Sequence, residues 1–386
     1  MKLKHLLSIL CCVLAIHPLL AQKSQQQPMN IGAAFLLVNP DARSSGMGDA
    51  VTGIEPDANA LFGNAAKIPF AGDWGVSASY SPWMWDLNDS KTHMGYVSAF
   101  KSWNNWDGVG LSVKYFDHGQ VTFRDENGME LQQYRPREYA IDGSYARKLG
   151  NHLAMAVSLR YIRSELGSGT YNGLVQKPAS AVAGDVGLYY ENHADHIEYG
   201  NRYSWGISFT NIGSKLKYTE DNNRTSFLPM NLRIGGGYTF VHTQDHQFTL
   251  AVDACKLLVP TPPVYKLDDN GFPTDEIEKG RDPDRGIVES IFSSFGDAPG
   301  GFGEEIREFT LASGMEYAYQ HRFFARAGYF YEHPNKGNRQ HFSAGLGVNI
   351  SGFQVDMAYL MPTGTSLLQR KTLRFTLLYS PKFSEK

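Results

Sequence analysis

Apolar and polar residues alternate along most of the chain, in segments of about ten residues. In the segment 151–163, Met155 and Val157 fall on one side of the chain, whereas Ala156 and Ser158 fall on the other. Successive side chains of a β-strand point to opposite faces, so a period of two predicts strands rather than helices. The same alternation recurs at 107–117, 352–361 and 371–380.

About fourteen such segments follow one another, and their connections sort by length. The segments start near residues 74, 93, 107, 136, 151, 179, 203, 229, 245, 307, 322, 340, 352 and 371. Short connections, such as 148–151 and 242–245, follow even-numbered segments, and long ones follow odd-numbered segments. The connection at 192–202 is longer than this rule expects.

This sorting is typical of outer-membrane barrels, which join antiparallel strands by short periplasmic turns and long extracellular loops. We therefore predict an all-β fold, in which residues 74–386 form a transmembrane antiparallel β-barrel of about fourteen strands. A secreted all-β domain is the alternative, but a soluble sandwich has no reason to sort its connections by length. Aromatic residues near strand ends, such as Tyr189, Tyr190, Tyr317 and Tyr329, predict girdles at the membrane interfaces.

The first 21 residues have the form of an export signal. Lys2 and Lys4 precede an apolar stretch at 6–20, and Ala21 supplies a small residue at the expected cleavage point. A transmembrane anchor is the alternative, but the apolar stretch is short and a glutamine-rich segment follows it. We expect residues 1–21 to be a cleaved signal peptide, which leaves Cys255 as the one cysteine of the mature chain.

Residues 22–73 do not alternate, and we expect them to form an N-terminal plug or hatch segment. They contain many small residues and turn formers, together with an apolar run at 31–38 that requires burial. A flexible tail is the alternative. A fourteen-strand barrel has a lumen wide enough to need filling, and inward positions such as Thr249, Asp253 and Asp356 are small or polar.

Composition narrows the classes of function. A net charge of −3 argues against nucleic-acid binding, which requires a basic patch or stripe. No apolar run of about eighteen residues follows the signal, which excludes a helical membrane protein. A membrane barrel remains compatible with this composition, because its strands are only half apolar.

No motif indicates catalysis, a metal or a cofactor. The histidines form no paired metal-binding motif, and no serine lies in a nucleophile elbow. Gly235–Gly237 lies in a predicted strand without the lysine of a phosphate loop, which favours close backbone packing. Acidic residues precede a glycine at 125–128 and 268–271, but the terminal glutamate of a calcium loop is missing, so these are predicted hairpin tips. We expect neither an enzyme nor a cofactor.

The connection at 257–306 is the longest of the chain, and loops of this length usually have a function. Its prolines, Pro262 and Pro263 among them, predict an extended stretch. Farther along, apolar residues have helical spacing: Ile287, Val288, Ile291, Phe292 and Phe295. Such an apolar face should cover either the barrel mouth or a partner, and these residues are our candidate partner-binding loop.

The segment 33–50 reads AAFLLVNPDARSSGMGDA, and DANALFGNAAKIP follows at 57–69. Together they resemble the N-terminal signature of the PorV (LptO) family, the outer-membrane barrels of the Bacteroidetes type IX secretion system, whose fold is similar to that of FadL-like transporters. One departure is visible at 64–66, where Asn-Ala-Ala stands in place of Asn-Pro-Ala and removes a restraint on the turn. The family motif consists of Asn39, Pro40, Asp41, Arg43, Gly46, Met47, Gly48 and Asp49.

The resemblance implies a non-enzymatic component of protein secretion in the outer membrane of a Gram-negative bacterium. Such a barrel would bind the C-terminal signal domains of exported cargo and pass them from the large translocon barrel to the cell-surface attachment complex, which includes the sortase-like PorU. Its surroundings would be outer-membrane lipid, and no nucleic acid is involved. The alternative function is a FadL-like channel that takes up hydrophobic small molecules, and a purely structural barrel is a further one.

Overall fold

The computed structural model describes residues 29–83, 92–124, 129–171, 174–192, 200–220, 225–243, 245–363 and 371–381. The predicted signal peptide at 1–21 and the acidic turn at 125–128 lie outside these residues. All statements on the fold refer to the described part of the chain.

Twenty strands are formed by the described residues. In chain order they are β1 (Trp74–Pro82), β2 (His93–Trp103), β3 (Asp107–Asp117), β4 (Val121–Arg124), β5 (Glu130–Tyr134), β6 (Arg137–Lys148), β7 (Leu153–Glu165), β8 (Gly169–Tyr171), β9 (Leu174–Gln176), β10 (Ala179–Glu191), β11 (Gly200–Gly213), β12 (Asn231–Val241), β13 (His246–Leu257), β14 (Val264–Leu267), β15 (Pro273–Lys279), β16 (Phe309–Tyr319), β17 (Phe323–Tyr331), β18 (Gln340–Ile350), β19 (Phe353–Pro362) and β20 (Thr372–Tyr379).

Fourteen of these strands close into one antiparallel barrel, in the order β1-β2-β3-β6-β7-β10-β11-β12-β13-β16-β17-β18-β19-β20. The first and last strands pair with each other, from Val76 opposite Tyr379 to Tyr80 opposite Phe375. Closure therefore leaves no unpaired edge in the wall, which is the condition for a sheet that spans lipid. The predicted barrel of about fourteen strands is confirmed.

The six remaining strands form three hairpins, β4-β5, β8-β9 and β14-β15, within the long connections. The alternation did not predict these six strands, but the hairpin tip predicted at 268–271 lies between β14 and β15. At the tip of β14-β15, the Asp268 carboxylate accepts hydrogen bonds from the backbone N–H groups of Asn270 and Phe272, and Gly271 has φ +82°. The predicted hairpin tip at 268–271 is therefore correct.

The wall has the two faces that the alternation predicts. Met155, Val157 and Leu159 of β7 point outward, and Leu159 is 71% exposed. Ala156 and Ser158, between them, are buried on the inward face. The strands are thus apolar toward the surroundings and small or polar toward the lumen, as in membrane barrels.

The connections sort onto the two ends of the barrel. One end, here the short-turn end, carries brief connections such as 149–152, 320–322 and 351–352. The other, the long-loop end, carries 258–308 and the hairpins. Residues 193–199 of the connection between β10 and β11 lie outside the described part of the chain.

Aromatic side chains cluster outside the short-turn end. The ring of Tyr190 stacks on Tyr203 and Trp205, with centroids 5.9 and 5.6 Å apart. Tyr189 differs from our expectation, because its side chain is buried in the lumen, where its ring lies 5.6 Å from that of Phe70. Adjacent residues of a strand point to opposite faces, so only one of the two tyrosines can join the outer girdle.

The helices of the described chain are short. They are α1 (Ala42–Gly46), α2 (Ala60–Gly63), α3 (Ile287–Ser293) and α4 (Phe302–Arg307), with 3-10 helices at Ala34–Leu37 and Ala65–Phe70. None of the described helices is long and apolar enough to cross a membrane.

Residues 29–73, here the N-terminal segment, pack along the inward face of the wall. Phe35 and Leu36 are buried with Phe116 and other residues from the long-loop end. Farther along the chain, Met47 packs with Ala251 of β13 and Ala312 of β16. Ile68 is buried among residues from the short-turn end. The segment therefore makes buried contacts at successive levels of the barrel.

Candidate functional site

The two groups of residues that the sequence singles out lie at different levels. Asn39, Pro40, Asp41, Arg43, Gly46, Met47 and Gly48 are buried in the N-terminal segment, and Asp49 is half-buried. The residues of the 257–306 connection lie at the long-loop end. They therefore form two candidate sites, one inside the lumen and one outside it.

Asp41 caps helix α1. Its carboxylate accepts hydrogen bonds from the backbone N–H groups of Arg43 and Ser44, at 3.1 and 2.8 Å. The amide of Asn39 donates to Ser44 Oγ and to Asp49 Oδ1, both at 2.9 Å. The Asp41 bonds satisfy N–H groups that a helix start leaves unpaired, and the Asn39 bonds close the motif into a turn.

Glycines let the motif turn lie directly on the backbone of the wall. Gly48 has φ +69°, and a side chain there would come within 2.5 Å of the Ser313 carbonyl oxygen. On the opposite side of the contact, a Cβ at Gly328 of β17 would lie 2.1 Å from the nitrogen of Gly48. Both positions require glycine, because even a methyl group would displace the turn.

A second glycine contact supports the interpretation of Gly235–Gly237. A Cβ on Gly237 of β12 would lie 2.1 Å from the carbonyl oxygen of Gly53. The glycine run therefore provides close backbone approach to the N-terminal segment and does not form a phosphate loop. The sequence-based expectation for these residues is confirmed.

Arg43 joins the motif to the wall through buried ion pairs. Its guanidinium donates to both oxygens of Glu316, at 2.8 and 3.0 Å. Arg326 shares this carboxylate at 2.6 Å and also donates to Asp356 at 2.5 Å. A planar guanidinium matches a carboxylate in this two-bond geometry. The pairs therefore compensate the charge of Arg43 and also fix the orientation of α1.

Asp49 makes the corresponding contact at the other end of the motif. Its carboxylate lies 3.0 Å from Arg374 Nη1 and 3.7 Å from His341 Nε2. Burial alone raises the pKa of a carboxyl, but Arg374 and His341 hold the pKa of Asp49 below its usual range. Asp49 is thus a fixed negative charge between two wall strands.

Two other ionisable groups of the N-terminal segment have displaced pKa values. Burial, reinforced by the nearby Asp41, raises the pKa of Asp57 to about 6. Burial lowers the pKa of Lys67 to about 8, although Asp57 opposes this effect. The Lys67 ammonium donates to the Val51 carbonyl at 2.8 Å. For these two groups, the cost of keeping a charge out of water therefore exceeds what the neighbouring opposite charges return.

Sequence reasoning missed the wall residues that hold the motif, which include Glu316, Arg326 and Arg374. Asp253 was noted only as an inward polar position, but its carboxylate accepts from the backbone N–H groups of Val51 and Thr52. The available signal was a charged residue at an inward position of a strand. Alternation identifies such positions, but their partners lie up to 329 residues away in the chain.

The 257–306 connection is attached to the barrel by buried ion pairs. Lys256 Nζ lies 3.0 Å from Glu305 and also pairs with Glu308. Lys336, from the next long connection, donates to Glu308 at 3.0 Å. Thr261 donates to the same carboxylate at 2.7 Å. The loop therefore has a defined structure on the barrel mouth.

The candidate partner-binding residues divide into two sets. Pro263 is buried, and Pro262 is half-buried, next to it. Ile287 and Ile291 of α3 pack on the buried cluster of Phe227, Met230, Leu258 and Val259. The remaining three are exposed: Val288, Phe292 and Phe295. The ring of Phe295 also lies 5.7 Å from the ammonium of Lys256.

The predicted helix is therefore present as α3, and it has one covered and one exposed apolar face. Ile287 and Ile291 are four residues apart and cover the barrel mouth. Val288 and Phe292, also four apart, are 67% and 77% exposed. The sequence left the barrel mouth and a partner as alternatives; the face with Ile287 and Ile291 covers the barrel mouth, and the other apolar face is exposed.

A cavity of about 640 Å³ lies at the level between these two sites. Its lining includes residues of the N-terminal segment and of many wall strands, among them Phe35, Phe116, Arg233, His341 and Arg374. This volume falls in the range of sites that bind small molecules.

Among the described residues, no group of three or more histidine, cysteine, aspartate or glutamate side chains could hold a metal ion. Cys255 is a free thiol. The described contacts of the motif are structural ion pairs and a helix cap. The geometry of the motif thus supports positioning of a segment.

A family model described as "Type IX secretion system protein PorV" matches residues 21–264, which is more than half of the chain. No curated protein matches the chain.

Solved structures share the fold. A TodX deltaS2S3 mutant monoaromatic hydrocarbon channel is 12% identical, with 87% of this chain and 97% of that chain covered and a TM-score of 0.51. The CymD monoaromatic hydrocarbon channel is 13% identical, with coverage of 89% and 97% and a TM-score of 0.51. A Pseudomonas aeruginosa FadL homologue is 9% identical, with coverage of 92% and 100% and a TM-score of 0.47. At such identities, the first two likenesses establish the barrel fold alone.

Proposed function

The chain belongs to the PorV family of type IX secretion system proteins, and from this premise we propose that it is a non-enzymatic carrier of exported proteins. As a member of this family it is an outer-membrane barrel of that system. The carrier binds the C-terminal signal domains of cargo and moves them from the translocon to the cell-surface attachment complex. The long-loop end faces the cell exterior, as in other outer-membrane barrels.

The observation that carries this proposal is an exposed apolar surface on the 257–306 connection. Val288, Phe292 and Phe295 of the α3 region are 67%, 77% and 47% exposed. On α4, Phe302 and Ile306 are 80% and 55% exposed. Apolar side chains in water are unfavourable, and clusters of them mark surfaces that bind another protein or a membrane.

The attachment of the loop makes this surface suitable for binding. Buried ion pairs at Lys256 and Lys336 hold α4 on the barrel, and Ile287 and Ile291 hold α3. A binding surface that is already ordered loses less entropy on association than a flexible one. The exposed aromatic residues can therefore serve as anchors for a protein partner.

The N-terminal segment has a separate role in this proposal. It acts as a plug, because its motif is seated on the wall by glycines and by ion pairs of Arg43 and Asp49. A carrier that works at its outer surface needs no open lumen. Cargo domains, the large translocon barrel and the attachment component PorU are the expected protein partners, and lipid surrounds the wall.

The test is affinity purification of the intact protein from its own outer membrane in mild detergent, followed by mass spectrometry. We expect recovery of a very large barrel, or of several secreted proteins that share one type of C-terminal domain. Recovery of the barrel alone, together with fatty acid or another lipid, would contradict the carrier role.

A double variant locates the binding surface. Val288→Ser with Phe292→Ser removes exposed apolar area without touching Ile287, Ile291 or the contact of Phe295 with Lys256, so the barrel should assemble normally. We expect cargo recovery to fall at least about tenfold, since interface aromatics often contribute more than 2 kcal/mol. The matched control is Leu267→Ser with Phe272→Ser, which changes equally exposed residues on the β14-β15 hairpin.

Uptake of hydrophobic small molecules is the second candidate function. The observation in its favour is the cavity of about 640 Å³, whose walls include aromatic residues. The TodX and CymD structures are described as monoaromatic hydrocarbon channels. This function predicts transport of a labelled aromatic hydrocarbon into vesicles that contain the purified barrel, whereas the carrier predicts none.

A further inference from the structure

The large cavity at the long-loop end has an apolar wall and a charged floor. The apolar part is formed by the N-terminal segment and by wall residues, including Phe35, Trp83, Phe116 and Phe330. The floor contains Asp49, Arg233, His341 and Arg374. Such a combination of apolar walls with a few convergent polar groups is characteristic of a ligand site.

Two buried side chains of the floor have unused hydrogen-bonding atoms. Arg374 is 3% exposed, and its Nη1 pairs with Asp49 at 3.0 Å, but its Nε has no partner among the described residues. His341 is 5% exposed, and within the same described part its Nε2 has no hydrogen bond, with Asp49 Oδ2 at 3.7 Å. Leaving a buried donor such as Arg374 Nε unpaired is costly, so this position suits a hydrogen-bond acceptor.

The acceptor that best suits these groups is a carboxylate. Arg374 cannot lose its charge, and the edge of its guanidinium that carries Nε is shaped for a planar oxyanion. The ring of Phe330 stacks on His341 at 5.3 Å, which fixes the imidazole in the wall of the cavity. Arg374 and His341 both line the cavity, so one carboxylate held there can lie against both side chains.

The rim of the cavity indicates what the carboxylate is attached to. Glu332 pairs with Arg339 at 2.7 Å, and His118 with Glu138 at 2.9 Å, and all four residues line the cavity. An alkyl chain gains nothing from charged pairs. It displaces the water around them and offers no hydrogen bonds in place of those that the water made. A peptide can pass the same rim, because its backbone supplies donors and acceptors at every residue.

We propose that the cavity binds the last residues of a polypeptide, with apolar side chains against Phe35 and Phe116 and the free C-terminal carboxylate at Arg374 and His341. The inference deepens the proposed carrier function and rests on it, since a cargo protein recognised through its C-terminal domain supplies such an end. Recognition then has two parts: the exposed loop surface binds the C-terminal domain of the cargo, and the cavity binds the last residues of the same chain.

The test measures binding of a defined peptide to the purified full-length barrel in detergent. The probe is a fluorescently labelled ten-residue peptide that ends in Val-Val-Leu, prepared as the free acid and as the C-terminal amide. We expect the free acid to bind at least about tenfold more tightly, because one charged hydrogen-bonded contact is lost in the amide. Arg374→Gln should abolish this preference, whereas Arg163→Gln on the outer face should preserve it.

A second variant avoids the ion pair between Arg374 and Asp49. Ala34 is exposed and lines the cavity, so Ala34→Trp fills the space without removing a charge. It should weaken binding of the free acid at least about tenfold, since the apolar residues of the peptide lose their site. The control is Ala344→Trp, at an exposed position on the lipid-facing side of β18.

Equal affinity of acid and amide would overturn the proposal, as would binding of dodecanoate with no binding of either peptide. The carrier function is judged separately, by recovery of cargo with the intact protein. If cargo is recovered while acid and amide bind equally, the terminal-carboxylate site fails and the carrier function stands. If no cargo is recovered, the carrier function itself fails.

Discussion

At the scale of single residues, the motif Asn39–Asp49 is explained by what its side chains contact. Asp41 caps α1, Arg43 and Asp49 reach charged residues of the wall, and Gly48 permits a left-handed turn against the backbone of Ser313. Buried ion pairs contribute little net stability when intact but specify position, since a misplaced partner leaves a charge unpaired. The motif therefore encodes a location inside the barrel.

Arg43→Met tests this at one residue. Removing the guanidinium leaves Glu316 with Arg326 as its remaining close cation, and breaking a buried pair costs about 3–5 kcal/mol. We expect that loss in urea unfolding followed by tryptophan fluorescence in detergent micelles. Arg163→Met, which breaks a half-exposed pair with Glu165, should cost less than about 1 kcal/mol. Adding Glu316→Leu to Arg43→Met should restore part of the stability, and additive losses would contradict the direct pairing.

Asp57 predicts a dependence of stability on pH. Its pKa is about 6 in the folded barrel, above the value of about 3.9 for an unfolded chain. Between those values the folded state binds more protons than the unfolded state, so this residue lowers stability as pH rises from about 4 to 6. The full effect is about 3 kcal/mol.

The variant Asp57→Asn lacks this titration. Relative to the natural protein, its free energy of unfolding should therefore improve by about 2 kcal/mol between pH 4 and pH 7, because half of the unfolded Asp57 is already ionised at pH 4. Unfolding curves at the two pH values measure the change. Asp269→Asn, at an exposed hairpin tip, is the control and should show no change. A constant difference between Asp57→Asn and the natural protein at both pH values would show that Asp57 does not titrate in this range.

At the scale of elements, glycines decide how the N-terminal segment meets the strands. The motif turn touches three neighbouring strands at Gly314, Gly328 and Gly345, where any side chain would meet the backbone of residues 46–48. Strands usually avoid glycine because it weakens them, unless another backbone approaches closely. The glycines of β16–β18 are therefore part of the seat of the segment.

Gly328→Ala should unseat the motif turn while the barrel still closes. Its Cβ would lie 2.1 Å from the Gly48 nitrogen, which is closer than atoms can approach. We expect faster proteolysis within 39–58 and a loss of about 1–3 kcal/mol, typical of overpacking. Gly143→Ala on β6 is the matched control, because a Cβ there meets nothing within 4 Å. Equal protection of both variants from protease would rule out the glycine seat.

At the scale of the whole molecule, the closed wall and the N-terminal segment are two parts with different surroundings. The wall pairs every strand with two neighbours and presents an apolar surface outward. The segment occupies the inside, with buried residues from Phe35 to Ile68. A barrel of this strand number without such a filling has a lumen that admits water and ions.

The plug hypothesis therefore predicts electrical behaviour. In planar lipid bilayers, the complete barrel should give no steady conductance, whereas deletion of residues 29–71 should give a persistent ion current. Deletion of 268–272, at the tip of the β14-β15 hairpin, leaves the lumen unchanged and serves as the control. A steady large conductance of the complete protein would contradict the plug.

The sequence by itself determined the wall. Alternation with a period of two, repeated fourteen times with connections of alternating length, is a local pattern that each strand carries independently, so strand positions such as 107–117 and 340–350 were predictable to within a residue or two. The amphipathic spacing of α3 and the turn at 268–271 were predictable for the same reason.

Only the tertiary structure decided which residues meet inside the barrel. Arg43 and Glu316 are 273 residues apart, and the contact exists because strand register and barrel closure bring them to one level of the lumen. The same holds for Asp49 with Arg374 and for the cavity that both residues line. The two faces of α3 were likewise separated into a covered and an exposed face only by the barrel mouth beneath it, because a helical pattern states that a face is apolar but not what lies against it.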